Sequence, residues 1–297
     1  IMTHNTTAAR RLIERVGTLP PERRMVRLGS EQLQGYTEKD WKAWWQQKEI
    51  QDHLAKIFAP VGEASRKHDV KISFHPGQFC VLASATPEIV ERSIEEFEYH
   101  ADLARWMGFG KSFQDGCKIN VHISGKRGPQ GIIDALQRLT PEARNCITIE
   151  NDENKWGLDS SLELEKDVAL VLDIHHHWCN TRGEYIMPED DRVKRIIDSW
   201  RGVRPAMHYS VSREDLLLEH SRTHKPDFPE LEEQGFKKGK LRAHSDYLWN
   251  DAVNDWALSH WQWADIMVEA KCKNLASNQL LQRHFINTDA FTGKIAA

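Results

Sequence analysis

Residues 71–79, which read KISFHPGQF, limit the possible folds of this chain more than any other stretch. Apolar and polar residues alternate over residues 70–74, which predicts a strand. His75 follows directly, and Pro76-Gly77 ends the strand in a tight turn. The sequence therefore places an imidazole at the carboxyl end of a strand, although a single histidine at such a position more often caps the strand or packs in the core.

The same arrangement recurs, because several short apolar runs end in a histidine or an acidic residue. These run-ending residues are His75, His122, Glu150, Asp173, His208 and Glu269. Strands of a parallel sheet buried on both faces read as such apolar runs, and strand–helix alternation predicts helices around the sheet. Barrel enzymes keep their chemistry at the carboxyl ends of such strands. We therefore expect the 297 residues to form an α/β fold of the TIM (β/α)8 type, as one domain over residues 1–297.

The expected barrel has one gap and one insertion. The first helix is predicted at residues 7–15 and the first strand only at residues 25–30, so the first barrel strand is expected to be lacking, truncated or upstream. A long polar segment at about residues 211–243 interrupts the strand–helix rhythm and is expected to be an inserted loop.

A tryptophan-rich segment over residues 40–58 has helical spacing. Its stripe, which includes Trp41, Trp44 and Trp45, is expected to pack in the core. Pro60 is expected to interrupt this helix, because proline removes a backbone hydrogen bond from a helix interior.

Candidate metal ligands are the run-ending residues together with two further histidines. The full set is His75, His122, Glu150, Asp173, His176, His208, His244 and Glu269. Mixed imidazole and carboxylate ligands suit Mn²⁺, Zn²⁺ or Fe²⁺, and bridging carboxylates allow two or three ions. Ions about 3.5–4 Å apart serve phosphoryl-transfer chemistry, whereas a lone ion in a barrel would suit sugar isomerisation. The residues alone leave both alternatives open.

Composition points away from several other classes of protein. The formal charge of −4 gives no global sign of nucleic-acid binding, and no apolar run approaches membrane-spanning length. The five cysteines are scattered without a CxxC pair, which indicates reduced thiols. We therefore expect a cytoplasmic protein that has no membrane contact. We also expect it to be a monomer.

Taken together, the strand-end motifs resemble those of the UV damage endonuclease family. They read SFHPGQF at 73–79, VHISG at 121–125, END at 150–152, DIHH at 173–176, MHYS at 207–210, HSDY at 244–247 and DIMVEAK at 265–271. They follow the family's order from about residue 25 to 273, and the His-Pro-Gly-Gln turn is the most specific of them.

The resemblance implies a TIM barrel with two to three divalent ions, Mn²⁺ before Zn²⁺ or Mg²⁺, held by the eight ligands above. It implies damaged double-stranded DNA as the partner, incised immediately 5′ to cyclobutane dimers and 6-4 photoproducts. The catalytic residues are then Glu150, Asp173, His208 and Glu269. Gln78 and Phe79 are implied as the residues that probe the lesion.

A cationic group in the polar segment is a candidate phosphate-binding site. Lys237, Lys238 and Lys240 lie between the run-ending His208 and His244, so they flank the expected site. We expect them to contact the DNA backbone. The alternative is an ordinary solvated surface.

This chain departs from the family's pattern at two positions near the site. The family commonly has a lysine where this chain has Ala206, and a loop histidine near the position of Glu38. The competing functions are an endonuclease IV-like abasic-site nuclease, a xylose isomerase-like enzyme, and a barrel that binds damaged DNA without cutting it.

Overall fold

The structure, a computed structural model, describes residues 1–292, with side chains for residues 1–283. The chain divides into two compact units, residues 1–149 (unit 1) and residues 150–297 (unit 2). The prediction of a single domain with an insertion at 211–243 stays a prediction.

Unit 1 alternates strands with helices. Its strands are β1 (Met25–Leu28), β2 (Lys71–Phe74), β3 (Lys118–His122) and β4 (Ile147–Glu150), whose last residue belongs to unit 2. Its helices are α1 (Met2–Val16), α2 (Lys39–Trp45), α3 (Lys48–His68), α4 (Pro87–Trp106), α5 (Gly128–Leu136) and α6 (Pro141–Cys146), with 3₁₀ turns at Pro21–Arg23 and Phe113–Asp115.

The strands β1 to β4 are neighbours in chain order. The registers of β1 with β2 and of β2 with β3 are parallel, so Leu28 lies opposite Phe74 and Phe74 opposite Ile119. Parallel neighbours need crossover connections, which the helices supply. The predicted strand-ending positions of His75 and His122 are thereby confirmed.

The tryptophan-rich segment differs from its prediction. Helix α2 ends at Trp45, α3 begins at Lys48, and Pro60 lies inside α3. Buried side chains such as Phe58 on α3 compensate for the proline, because tertiary packing overrides local propensity. The break divides the predicted stripe between two helices, and two of its three tryptophans are exposed. Trp41 is 59 % exposed, Trp44 is 38 % exposed, and Trp45 is buried.

Unit 2 carries the remaining strands and helices. Its strands are β5 (Ala169–Val171), β6 (Ala206–Tyr209) and β7 (Asp265–Val268). Its helices are α7 (Leu158–Leu162), α8 (Ile174–Thr181), α9 (Asp191–Ser199), α10 (Phe228–Glu233), α11 (Lys238–Leu241), α12 (Asp251–Ser259) and α13 (Asn274–Thr292), with 3₁₀ turns at Glu214–Leu216 and His260–Gln262.

The strands of unit 2 are short, and β5 is buried along its whole length. Strand β6 pairs with β7 in parallel, with His208 opposite Met267. Two short helices, α10 and α11, lie inside the predicted polar insertion. In the part of the chain that the structure describes, no strand precedes α1, and no helix has the length and apolar character needed to cross a bilayer.

Candidate metal centre

Backbone pairing brings three strand ends of unit 2 to one edge. Asp173 bridges His208 in parallel, and the His208 N–H donates to Leu172 O at 2.9 Å. Just beyond β7, the Glu269 N–H donates to Tyr209 O at 2.8 Å. Asp173 and Glu269 therefore come just after β5 and β7, and His208 lies near the end of β6, so all three are at carboxyl ends of strands, as the sequence predicted.

Glu150 completes a compact group of four residues, which we call the strand-end cluster: Glu150, Asp173, His208 and Glu269. Each offers one ligand atom, and these atoms lie within 4.8 Å of one another. His208 Nδ1 lies 3.0 Å from Glu150 Oε2 and 3.3 Å from Glu269 Oε1. Glu150 and Asp173 are completely buried, and His208 is 3 % exposed. The cluster unites the four residues that the resemblance implied as catalytic.

The electrostatics of the cluster suit a divalent cation. Burial raises the pKa of Asp173, His176 opposes that effect, and the carboxylates of Glu150 and Glu269 raise the pKa further. Within the described residues, Asp173 Oδ2 accepts no hydrogen bond, and it lies 3.7 Å from His176 Nδ1. Burying such an oxygen is costly unless it is paired, and a bound cation is the largest local charge that can pair it. The donor set of carboxylates and imidazole therefore fits Mn²⁺ or Zn²⁺.

His176 adjoins the cluster because helix α8 begins directly after the strand end. Asp173 is the N-cap of α8, and its Oδ1 accepts the His176 N–H at 2.7 Å. His176 Nδ1 lies 3.1 Å from Asn151 O and 3.2 Å from Glu150 Oε1. Burial opposes the charged form, but Asp173, Glu150 and Glu153 raise the pKa of His176 well above its ordinary value.

Glu153 lies beside His176, although the sequence analysis did not select it. Its Oε2 lies 3.9 Å from His176 Nε2, and its Oε1 accepts a short hydrogen bond from Arg242. Burial raises the pKa of Glu153, but His176 and Arg242 outweigh burial and the pKa is lowered. The signal available in the sequence was its position three residues after Glu150, in a loop rich in turn-forming residues.

His244 lies at the margin of the cluster. Its backbone bridges Ser212 in antiparallel fashion, and its Nδ1 lies 4.0 Å from Glu269 Oε2. Its ring centroid lies 6.2 Å from that of His176. His244 was predicted as a ligand, and the structure places it near two other predicted ligands of unit 2.

The neighbours of His176 on α8 have other surroundings. His177 Nε2 lies 3.0 Å from Glu184 Oε2, and burial lowers the pKa of His177. The ring of His175 stacks on Trp178 at 5.7 Å, and burial lowers the pKa of His175 well below its ordinary value. These contacts agree with the prediction of His176, and not His175 or His177, as a candidate metal ligand.

In unit 1, the two predicted ligands lie side by side. His75 follows β2 and His122 ends β3, and their rings stack with centroids 5.0 Å apart. The turn after His75 leaves Gln78 and Phe79 exposed, and Phe79 is 85 % exposed. Phe79 therefore does not pack beneath the next helix.

The predicted phosphate-contacting lysines lie at α11 in unit 2. Lys237 is its N-cap, and Lys238 and Lys240 belong to the helix. Lys237 and Lys240 are exposed, and Lys238 is half-buried. Their side chains are accessible to solvent, which phosphate contact requires.

The architecture and the carboxylate–histidine cluster at strand ends together mark an α/β protein with a candidate metal centre. Residues 24–292 match the model of a family described as UV-endonuclease UvdE. The chain belongs to this family, which confirms the resemblance drawn from the motifs.

Curated relatives agree with this assignment. The chain is 26 % identical over 251 residues to a UV DNA damage endonuclease of Bacillus mycoides (strain KBAB4), covering 78 % of this chain and 69 % of the relative. It is 26 % identical over 245 residues to a UV-damage endonuclease of Schizosaccharomyces pombe, covering 79 % of this chain and 36 % of the relative.

Two solved structures are similar in fold. The crystal structure of SacUVDE matches with a TM-score of 0.73 and 23 % identity, over 97 % of this chain and 87 % of that one. Endonuclease IV from Thermus thermophilus matches with a TM-score of 0.53 and 14 % identity, over 87 % and 96 % of the two chains. These likenesses concern the fold, and they agree with the predicted TIM-barrel-like class.

Proposed function

We propose that this protein is a metal-dependent endonuclease that incises UV-damaged DNA immediately 5′ to cyclobutane dimers and 6-4 photoproducts. The observation that carries the proposal is the buried strand-end cluster, found in a chain whose residues 24–292 match the UV-endonuclease family. The names of the curated relatives support DNA with UV damage as the substrate.

In this proposal the strand-end cluster, His176 and His244 hold divalent ions, with Mn²⁺ preferred. His75 and His122 of unit 1 have the same proposed role, because they end strands in the motifs of the family. The chemistry that bound ions supply at such centres is activation of water and stabilisation of the leaving oxygen. The protein's own contribution is to fix the ligand atoms in a buried site, where His208 and His176 face the carboxylate of Glu150 from two sides.

The exposed residues of the turn after His75 are the proposed lesion-contacting group. An amide such as that of Gln78 can pair with base edges, and the ring of Phe79 can stack on bases that a photoproduct has displaced. Such stacking contributes about 1–3 kcal/mol per base. Damaged bases are less costly to unstack than normal ones, which gives a physical basis for selectivity.

Lys237, Lys238 and Lys240 are the proposed phosphate contacts. Each phosphate contact should add about −0.9 to the slope of log affinity against log salt concentration. Replacing Lys237 and Lys240 by alanine should therefore make that slope less steep, and an unchanged slope would assign the segment to the solvated surface.

The decisive experiment uses 5′-labelled duplexes that differ at one position: a cyclobutane dimer, a 6-4 photoproduct, an abasic site or normal bases. Metal-stripped protein is assayed alone and after adding Mn²⁺, Zn²⁺ or Mg²⁺. We expect one incision directly 5′ to the photoproducts, with a 3′-hydroxyl that a polymerase can extend, and only with metal present. Incision confined to the abasic duplex would instead favour an endonuclease IV-like function. Binding without incision under every metal condition would contradict catalysis.

A further inference from the structure

Glu153 points its two carboxylate oxygens at two different partners. Oε1 accepts from the guanidinium of Arg242, and Oε2 faces His176 Nε2 at 3.9 Å. The Glu153 side chain is 12 % exposed, whereas that of Arg242 is 44 % exposed. The ion pair therefore reaches from the protein surface to the edge of the strand-end cluster.

The loop after β4 fixes this orientation. Asp152 Oδ1 accepts the N–H groups of Asn154 at 2.6 Å and Lys155 at 2.8 Å, and the Asp152 N–H donates to Trp156 O at 2.9 Å. These bonds close a tight turn around residue 153. Glu153 is thus held by its backbone as well as by Arg242, which limits the conformations that its carboxylate can adopt.

The other nitrogen of His176 is already engaged. Nδ1 lies 3.1 Å from Asn151 O, a contact in which the imidazole donates its proton. When the ring is neutral, Nε2 is therefore the nitrogen with the lone pair, as in metal-binding histidines whose second nitrogen is fixed by a backbone carbonyl. The carboxylate on the Nε2 side is that of Glu153.

We propose that Glu153 is a further ligand of the metal centre, sharing a divalent cation with His176, and that Arg242 is the positioning residue that orients its carboxylate. Ligand atoms about 2.0–2.2 Å from one ion can be at most about 4.4 Å apart. The 3.9 Å between Glu153 Oε2 and His176 Nε2 satisfies that limit. Hydrogen bonds to the outer atoms of ligands orient the metal-binding groups in metal sites generally. The inference rests on the metal dependence in the proposed function.

The test measures Mn²⁺ binding directly. Metal-stripped protein is titrated with Mn²⁺, and the unbound ion is followed by its electron paramagnetic resonance signal. Arg242→Gln, which removes the group that orients the ligand, should weaken the binding of one ion by about 10–100-fold, and Glu153→Gln should weaken the binding of the same ion at least as much. Because Arg242 acts through Glu153, the double variant should bind Mn²⁺ with the same affinity as Glu153→Gln alone.

Glu165→Gln is the matched control. Glu165 pairs with Arg195 at 2.6 Å, so this change also breaks a glutamate–arginine ion pair in unit 2. We expect Glu165→Gln to leave Mn²⁺ affinity and stoichiometry unchanged. Glu153→Asp, which keeps the charge, should bind Mn²⁺ more tightly than Glu153→Gln.

Wild-type Mn²⁺ affinity and stoichiometry in Glu153→Gln would overturn the inference. A Glu153→Gln variant whose metal-free Tm is lowered while its Mn²⁺ binding is unchanged would also overturn it, because Glu153 would then have only a structural role. If Glu153→Gln does not fold, unchanged Mn²⁺ binding in both Arg242→Gln and Glu153→Asp would overturn it equally. A wild-type protein that binds no Mn²⁺ would instead contradict the proposed function itself, so the two failures are distinguishable.

Discussion

Two buried histidines of unit 2, His176 and His260, are the same residue type in opposite electrostatic surroundings. His176 is 5 % exposed and His260 is completely buried. His176 has carboxylates around its ring, and they raise its pKa well above the ordinary value. Burial lowers the pKa of His260 to about 4. Burial alone therefore does not tell which histidine belongs to a candidate metal centre, because the neighbouring groups decide it.

The hydrogen bonds of His260 explain its neutrality. The indole of Trp263 donates to Nδ1 at 3.1 Å, and because Trp can only donate, Nδ1 must be the acceptor. Nε2 then carries the proton and donates to Ile186 O at 3.1 Å. Both nitrogens of His260 are satisfied by neutral partners, so the residue is part of the core.

The strongest loss should come from removing the carboxylate that His176 and His208 share. Glu150→Gln should lower the incision rate by roughly 10³-fold or more, about 4 kcal/mol of transition-state free energy, because a neutral amide is a poor metal ligand. Single-turnover incision of a photodimer duplex measures this loss, and circular dichroism checks the fold. A variant that retains a tenth of wild-type activity would remove Glu150 from the catalytic group.

The pH dependence of stability tests the other histidine. The unfolded state binds a proton at a pKa near 6.5, whereas folded His260 does so only near 4. Its contribution is therefore fully present above pH 6.5 and is lost as the pH falls towards 4, by about 3 kcal/mol in total. Urea unfolding of the wild type and His260→Gln between pH 7 and 4.5 measures it.

His260→Gln keeps a donor and an acceptor but does not titrate, so its free energy of unfolding should depend less on pH. His100 on α4 of unit 1 is also completely buried, and burial lowers its pKa to about 4, so His100→Gln should show the same trend. Equal slopes in the wild type and His260→Gln would mean that His260 is not held neutral.

The same substitution at His176 and at His260 compares the two histidines directly. His176→Gln should weaken Mn²⁺ binding by at least about 10–100-fold. His260→Gln should leave Mn²⁺ binding unchanged and lower Tm, because its hydrogen bonds lie in the core. Calorimetric Mn²⁺ titration and thermal melting of both variants separate the roles, and equal Mn²⁺ losses in both would erase the distinction.

In unit 1, the contrast between buried and exposed side chains predicts a smaller effect, on the preference for damaged DNA. Phe74 and Phe79 flank the His75 turn, yet Phe74 is completely buried and Phe79 is 85 % exposed. The double change Gln78→Ala and Phe79→Ala should reduce the preference for damaged over undamaged duplex by about 5–150-fold, from 1–3 kcal/mol of lost stacking.

Competition binding with the two duplexes measures that preference. Leu218→Ala, at a residue that is 74 % exposed in unit 2, is the control for loss of an exposed apolar side chain. An unchanged preference in the Gln78–Phe79 double variant, or loss of its bound Mn²⁺, would contradict the proposed lesion contact.

Helix α8 is an element that local sequence patterns did not predict. The sequence marked Asp173 as the end of a strand, and a carboxylate there is also a good N-cap, yet the helix over Ile174–Thr181 was not predicted. Its first turn places His176 beside Glu150. The sequence alone did not show which of His175, His176 and His177 would contact Glu150, because Glu150 lies before helix α7 and strand β5 in the chain.

The amino-acid order alone was enough to predict the strands, the residue type at each strand end and the family, because buried parallel strands have a strong apolar signature and their ends carry short motifs. The surroundings of each side chain required the folded chain. In the folded chain Trp41 and Trp44 are exposed, and Glu153 and Arg242 meet across 89 positions of sequence. Hydrophobic periodicity is a local property that the chain encodes within a few residues, whereas electrostatic environment depends on neighbours that only folding supplies.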